Sequence, residues 1–131
     1  MATVGHLIAA AVVMFALPVI AAQGWRAKDG DSIVAPWGEE IRVVEVDSPE
    51  MDCRCPSECS LARKAKEFTQ STLNAAKNVR LLPYRQDKDR YGRSLRFVEV
   101  DGQRLDRMLI DRGLGRFYDG RSPRKGWCEA K

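Results

Sequence analysis

The sequence predicts an α+β protein that is mainly β: a five-stranded barrel with a helix across one end, a second helix near the C terminus, and an apolar N-terminal segment before them. Three observations carry this. "GWRAKDGDSIVAPWGEEIRVVEV", Gly24 to Val46, holds three short strand-like runs separated by Asp29-Gly30 and Trp37-Gly38. "PSECSLARKAKEFTQSTLNAAKN", Pro56 to Asn78, repeats apolar residues at helical spacing. Two more strand-like runs and a shorter helical run follow. The order β-β-β-α-β-β-α suits a small barrel.

The first 22 residues contain no Asp, Glu, Lys or Arg, and Leu7 to Ala22 is an unbroken apolar run of 16. That is short for a membrane span and suits a signal-peptide core, with Pro18 near its end and Ala21 and Ala22 as small residues for cleavage. No basic side chain precedes the run, so an uncleaved anchor over residues 7–22 is the alternative. Residues 1–22 are therefore expected to export the chain, to the periplasm or outside the cell, or to tether it to the membrane. Residues 23–131 are expected to form one domain. That domain carries every charged side chain, 22 Lys and Arg against 18 Asp and Glu, for a net charge of +4. A basic balance favours acidic partners and says nothing about fold.

Four cysteines stand at Cys53, Cys55, Cys59 and Cys128. An even count behind an export signal reads as two disulfides. A four-thiolate zinc site is the rival, although C-x-C-x3-C is not a common knuckle spacing. A bond from Cys128 to the first cluster closes a loop of roughly 70 residues, for which loop entropy gives about 4 kcal/mol.

The third strand is expected over Ile41 to Val46, where β-branched residues dominate. In the first helix Pro56 sits at the start and Ser57 is a possible cap. Leu61, Ala65, Phe68, Thr72 and Leu73 form its apolar face, with Lys64, Lys66 and Glu67 pointing elsewhere. "VRLLPY" is a short strand, "DKDRYGR" a charged turn and "SLRFVEV" a strand. Asp101-Gly102 turns into "RLDRMLIDRG", where Leu105, Met108, Leu109 and Arg112 share a side and Gly113 ends the helix. The tail, Leu114 to Lys131, has no clear periodicity.

Three stretches hold candidate chemistry. "DGDSI" offers Asp29 and Asp31, "VDSPE" offers Asp47 and Glu50, and "DRYGR" offers Arg90 and Arg93; Arg42 adds a third guanidinium. Singly, each is explained by turn chemistry or by a solvated face. Together they say more. Carboxylates suit a hard cation such as calcium, arginine forks match phosphate oxygens, and a further glutamate can act on water. Those are the parts needed to cut a phosphodiester. One tension remains: Arg42 and Asp47 have opposite parity, so an ideal strand points them to opposite faces. A twist, a bulge or long-side-chain reach is needed to bring them together.

At these residues the chain resembles the staphylococcal nuclease (thermonuclease) family. "DGDSI", "IRVVEVDSPE", "LARKAKEF", "DRYGR" and "VDGQRL…LIDRGLG" occur in the family's order and at its approximate spacing, from about Lys28 to Gly115. One fragment alone is a weak signal; five in order are specific. The resemblance implies the OB-fold form of the five-stranded barrel. It also implies calcium-dependent hydrolysis of DNA and RNA with little sequence specificity, leaving 3′-phosphate ends.

Residue by residue, the resemblance makes Asp31 and Asp47 the calcium-binding carboxylates, with the Ser48 carbonyl as a third ligand. Glu50 becomes the general base or water-positioner, and Arg42 and Arg93 contact the scissile phosphate. Tyr91 matches a nucleotide-contacting tyrosine, and Arg90 stands at a usually basic position. Tyr118 is nearest to a second such tyrosine, one position off a gapless match. The loop "MDCRCPSEC" and the short tail depart from the staphylococcal enzyme, which has a long third helix. A cysteine before the first helix and a Trp-Cys near the end resemble exported bacterial relatives. That likeness implies a Cys55–Cys128 disulfide, leaves Cys53 with Cys59, and lets the crosslink stand in for the missing helix.

The function expected is thus that of an exported, calcium-dependent nuclease, monomeric and without a stable protein partner. Single strands are the expected better substrates, because a tyrosine can reach unstacked bases. The alternatives are a non-catalytic OB-fold module binding single-stranded nucleic acid or a protein, and a zinc-stapled structural domain. The intact carboxylate set argues against a pure binder, which gains nothing from anionic groups beside a phosphate.

Overall fold

The computed structural model describes residue 12 and residues 24–128, so the expected signal or anchor segment lies, apart from Val12, outside the described residues. Turn residues keep the first strands short. β1 (Arg26–Ala27), β2 (Ser32–Val34) and β3 (Glu40–Val43) form an antiparallel meander around the Asp29-Gly30 and Trp37-Gly38 turns. Gly38 sits at φ 92°, a conformation that favours glycine. After helix α1 (Pro56–Ala75) come β4 (Val79–Lys88), β5 (Ser94–Val100), β6 (Gln103–Arg104) and helix α2 (Leu105–Asp111).

Among the described residues the result is mainly β with two helices, but the sheet does not close into the expected five-stranded barrel. The strands form one open six-stranded sheet in the order β1-β2-β3-β5-β4, with β6 paired to β5 and β3 running parallel to β5. The free edge at β1 is satisfied by a helix rather than by β4. Gln70 of α1 accepts from Ala27 N at 2.8 Å and donates to Trp25 O at 3.0 Å. β6 is the strand that the sequence reading lacks. Asp101 (φ 48°) and Gly102 (φ 82°) both take left-handed backbone, as a two-residue hairpin turn requires.

Helix α1 also differs from expectation. Its N-cap is Cys55, with Pro56 in the first turn, and Ser57 does not cap it. The buried face is Glu58, Ala62, Ala65, Thr69 and Leu73, rotated from the one read off Leu61 and Thr72. Phe68 packs at its edge. Fully buried Glu58 is not a core residue by type; at the third helical position it reaches back to accept from Arg54 N at 3.0 Å. Its Oε1 has no hydrogen-bond partner among the described residues. β4 runs on through Asp87 and Lys88, past the expected "VRLLPY", with an irregularity between Pro83 and Lys88. In α2 the buried residues are Leu105, Asp106 and Leu109 rather than Met108 or Arg112. Asp106 is held by two hydrogen bonds from Arg104, at 2.7 and 2.9 Å.

The core lies between the sheet and the helices. Ile33, Ile41, Val43, Val46, Leu73, Val98, Leu105 and Leu109 are fully buried there. Each such side chain contributes roughly 1.5–3 kcal/mol over exposure, which makes the sheet a stiff frame for the residues at its rim.

Candidate active site

Sheet register brings the first three site residues to one end. Arg42 lies opposite Ser32 on β2 and Leu95 on β5. Asp31 directly precedes Ser32, and Arg93 precedes Ser94 at the start of β5. The backbone N–H of Val43 donates to Asp31 O at 2.8 Å, which fixes the turn against β3. Gly30 is needed for closeness. A Cβ there would lie 2.7 Å from Ser48 Oγ and 2.8 Å from Ala65 Cβ, while Thr69 Oγ1 donates to the Gly30 carbonyl at 2.7 Å.

The parity problem of Arg42 and Asp47 is resolved by a break in the strand. β3 ends at Val43, not Val46, and Glu45 takes the left-handed region at φ 60°. Glutamate pays for that conformation with roughly 1–3 kcal/mol. Two contacts hold it: Arg104 Nη2 lies 3.6 Å from Glu45 Oε2, and Tyr118 N donates to Glu45 O at 3.4 Å. The chain then restarts at Asp47, which pairs with Arg116 through two backbone hydrogen bonds of 2.8 and 2.9 Å. Parity therefore does not carry from Arg42 to Asp47.

The charged groups do meet. Arg42 Nη2 is 3.3 Å from Asp31 Oδ2 and 4.0 Å from Asp47 Oδ1, and Arg42 Nη1 donates to the Val43 carbonyl. Ser48 N donates to Asp31 Oδ2 at 2.8 Å, and Ser48 Oγ donates to the Leu114 carbonyl. Asp31, Asp47 and Ser48 are all buried. Burial pushes the Asp31 carboxyl up to about 7, against the pull of Arg42. Two buried carboxylates beside the backbone of buried Ser48 offer hard oxygen donors of the type that calcium takes.

Arg93 completes the rim. Its Nη1 donates to Ser32 Oγ at 3.1 Å and its Nε to Asp89 Oδ2 at 2.8 Å. Asp89, not singled out in the sequence, organises the turn: its Oδ1 accepts from Tyr91 N and Arg93 N. Partial burial works against the Asp89 charge, but the hydrogen bonds from Arg93 and Tyr91 win and hold its carboxyl below the ordinary value. Asp31, Arg42, Glu50 and Arg93 line one cleft of about 580 Å³. Arg90, Tyr91 and Tyr118 line an adjoining one of about 470 Å³, where Tyr91 is 70% exposed. Arg90 and Arg93 place their guanidinium carbons 5.0 and 5.7 Å from the Tyr91 ring centre.

Two tail residues were not foreseen. Arg124 Nη1 donates to Glu50 Oε1 at 2.8 Å and to Asp47 Oδ1 at 3.2 Å, and Trp127 Nε1 donates to Asp47 Oδ2 at 3.3 Å. Partial burial pulls the Arg124 pKa down, and the two carboxylates outweigh it, leaving it above its ordinary value. The disulfides are Cys53–Cys59 and Cys55–Cys128, the pairs that the resemblance implies. The signal that would have found Arg124 lies there. Cys55 follows Glu50 closely, so a bond to Cys128 carries the tail's basic residues toward the site.

The family profile described as Staphylococcal nuclease homologue matches residues 40–128. The chain belongs to the staphylococcal nuclease family. The matched segment includes Arg42, Asp47, Ser48, Glu50, Arg93 and both disulfides, while Asp31 lies upstream of it. A thermonuclease from Staphylococcus hyicus is 34% identical over 98 residues, which are 71% of this chain and 57% of the relative. The chain thus spans a little over half the length of that curated relative.

Proposed function

We propose that this chain is a calcium-dependent phosphodiesterase that cleaves DNA and RNA with little sequence specificity and leaves 3′-phosphate ends. The observation that carries the reading is the Arg42 guanidinium between two buried aspartates, in the cleft that Glu50 and Arg93 also line. A calcium ion held by Asp31, Asp47 and the Ser48 carbonyl would supply positive charge to the scissile phosphate and orient water. Arg42 and Arg93 bind the phosphate's equatorial oxygens and stabilise the charge that develops on them. Glu50, at the more open side, accepts the proton of the attacking water. Arg90, Tyr91 and Tyr118 stack and steer the neighbouring nucleotides, which favours unpaired strands.

The open sheet, with β3 parallel to β5, supports an OB-like fold for the expected domain, described over residues 24–128. The two disulfides support an exported, oxidising setting, periplasmic or secreted, with residues 1–22 as signal or tether. We expect it to act as a monomer. The test is digestion of plasmid DNA and of RNA with calcium and then with chelator. Wild-type protein should digest both only with calcium, and Glu50→Ala and Arg93→Ala should each lose about 10²–10³-fold. Digestion that persists unchanged in either variant would sink the assignment.

A further inference from the structure

We propose that Arg124 is a positioning residue for Glu50, delivered to the site by the crosslinked tail; this rests on the phosphodiesterase reading above. A single nitrogen, Nη1, bridges Glu50 Oε1 at 2.8 Å and Asp47 Oδ1 at 3.2 Å. These are the only hydrogen bonds that the Arg124 side chain makes among the described residues, and it is the only hydrogen-bond partner of the Glu50 carboxylate among them. Glu50 is 40% exposed and Arg124 49%, so packing alone does not fix either side chain, and a partly exposed glutamate without a partner samples several rotamers.

The backbone around Arg124 is fixed from three sides. Upstream, Asp119 Oδ1 accepts from Arg121 N and Ser122 N, both at 2.8 Å. Downstream, Arg116 Nη1 donates to Gly126 O at 3.0 Å, and its guanidinium lies 3.7 Å from the Trp127 ring centre. The end is tied by the Cys55–Cys128 disulfide. A flexible tail is thereby turned into a rigid support, and its arginine sets Glu50 against the metal-binding aspartate. Fixing a base close to its attack geometry raises turnover. The same positive charge, beside Asp47, opposes a divalent cation there.

These two consequences have opposite signs, and that makes them separable. In full-length protein with both disulfides intact, Arg124→Ala should lower kcat on the order of 10- to 100-fold with KM little changed. Calcium affinity, measured by titration calorimetry without substrate, should rise severalfold. Arg124→Lys should recover part of kcat, and guanidinium ion at millimolar concentration should rescue Arg124→Ala but not wild type. If Arg124→Ala misfolds, Arg124→Lys and Arg124→Gln carry the same comparison. An unchanged kcat overturns the proposal. So does a raised KM at constant kcat, which makes Arg124 a phosphate ligand. A joint fall of kcat, calcium affinity and melting temperature makes it a structural contact and likewise overturns it. Absence of calcium-stimulated hydrolysis in the wild type would instead sink the underlying reading.

Discussion

The two halves of the candidate site are built by different means. Asp31, Arg42, Asp47 and Ser48 form an inner half, buried and tied by backbone hydrogen bonds at the rim of the sheet. Glu50 and Arg124 form an outer half, about half exposed and held by a side-chain bridge to a loop that a disulfide anchors. The division follows the chemistry proposed. Charge stabilisation gains from dry, preorganised groups, whereas a residue acting on water must reach solvent. Rigidity in the inner half comes from packing, and in the outer half from a covalent tie.

The largest test of this division is Arg42→Ala. It strands buried Asp31 without its guanidinium and leaves Asp47 only the tail residues Arg124 and Trp127. We expect a loss of about 3–5 kcal/mol in urea unfolding and at least about 10³-fold in turnover. A small effect on both would show that the inner half is not the rigid, preorganised part.

What the sequence revealed follows the same line. Asp31, Arg42 and Arg93 were legible as candidates because each stands in a local pattern, a turn dipeptide, a β-branched run or a charged turn next to a strand; the family resemblance then sorted them and Asp47 into roles. The break that brings Asp47 to Arg42 was not legible, because nothing about Glu45 marks it for left-handed backbone; Arg104 and Tyr118, far along the chain, hold it there. The open edge at β1 was missed for a similar reason. Gln70 looks like any polar helix residue until the helix docks and its amide meets the backbone of Trp25 and Ala27. Arg124 was hidden by a tail without periodicity, and only the crosslink fixes where that tail lies.

Cutting the tie should separate the halves. The double variant Cys55→Ser/Cys128→Ser opens a crosslink spanning 73 residues, and loop entropy predicts about 4 kcal/mol lost. Its turnover should fall only to the level of Arg124→Ala, not to that of Arg42→Ala, and its calcium affinity should not fall. Thermal melts, calorimetry and digestion of one preparation decide this. A collapse of calcium affinity would mean that the tail also builds the inner half.

The smallest expected effect probes the single contact where the tail touches the inner half directly. Trp127→Phe removes the Nε1–H that reaches Asp47 Oδ2 at 3.3 Å and keeps a ring for the Arg116 guanidinium to cover. A long, partly buried hydrogen bond of this kind is worth about 1 kcal/mol, or roughly 4–8 °C in melting temperature for a domain of this size. Asp47 keeps Arg42 and Arg124 beside its other oxygen, so turnover should stay within about threefold of wild type. A tenfold drop with Arg124 unaltered would place the support of Asp47 in the indole, and the disulfide would then serve Trp127 before Arg124. Equal turnover with a lowered melting temperature would confine Trp127 to anchoring the tail, leaving Arg124 as the tail residue that bears on the chemistry.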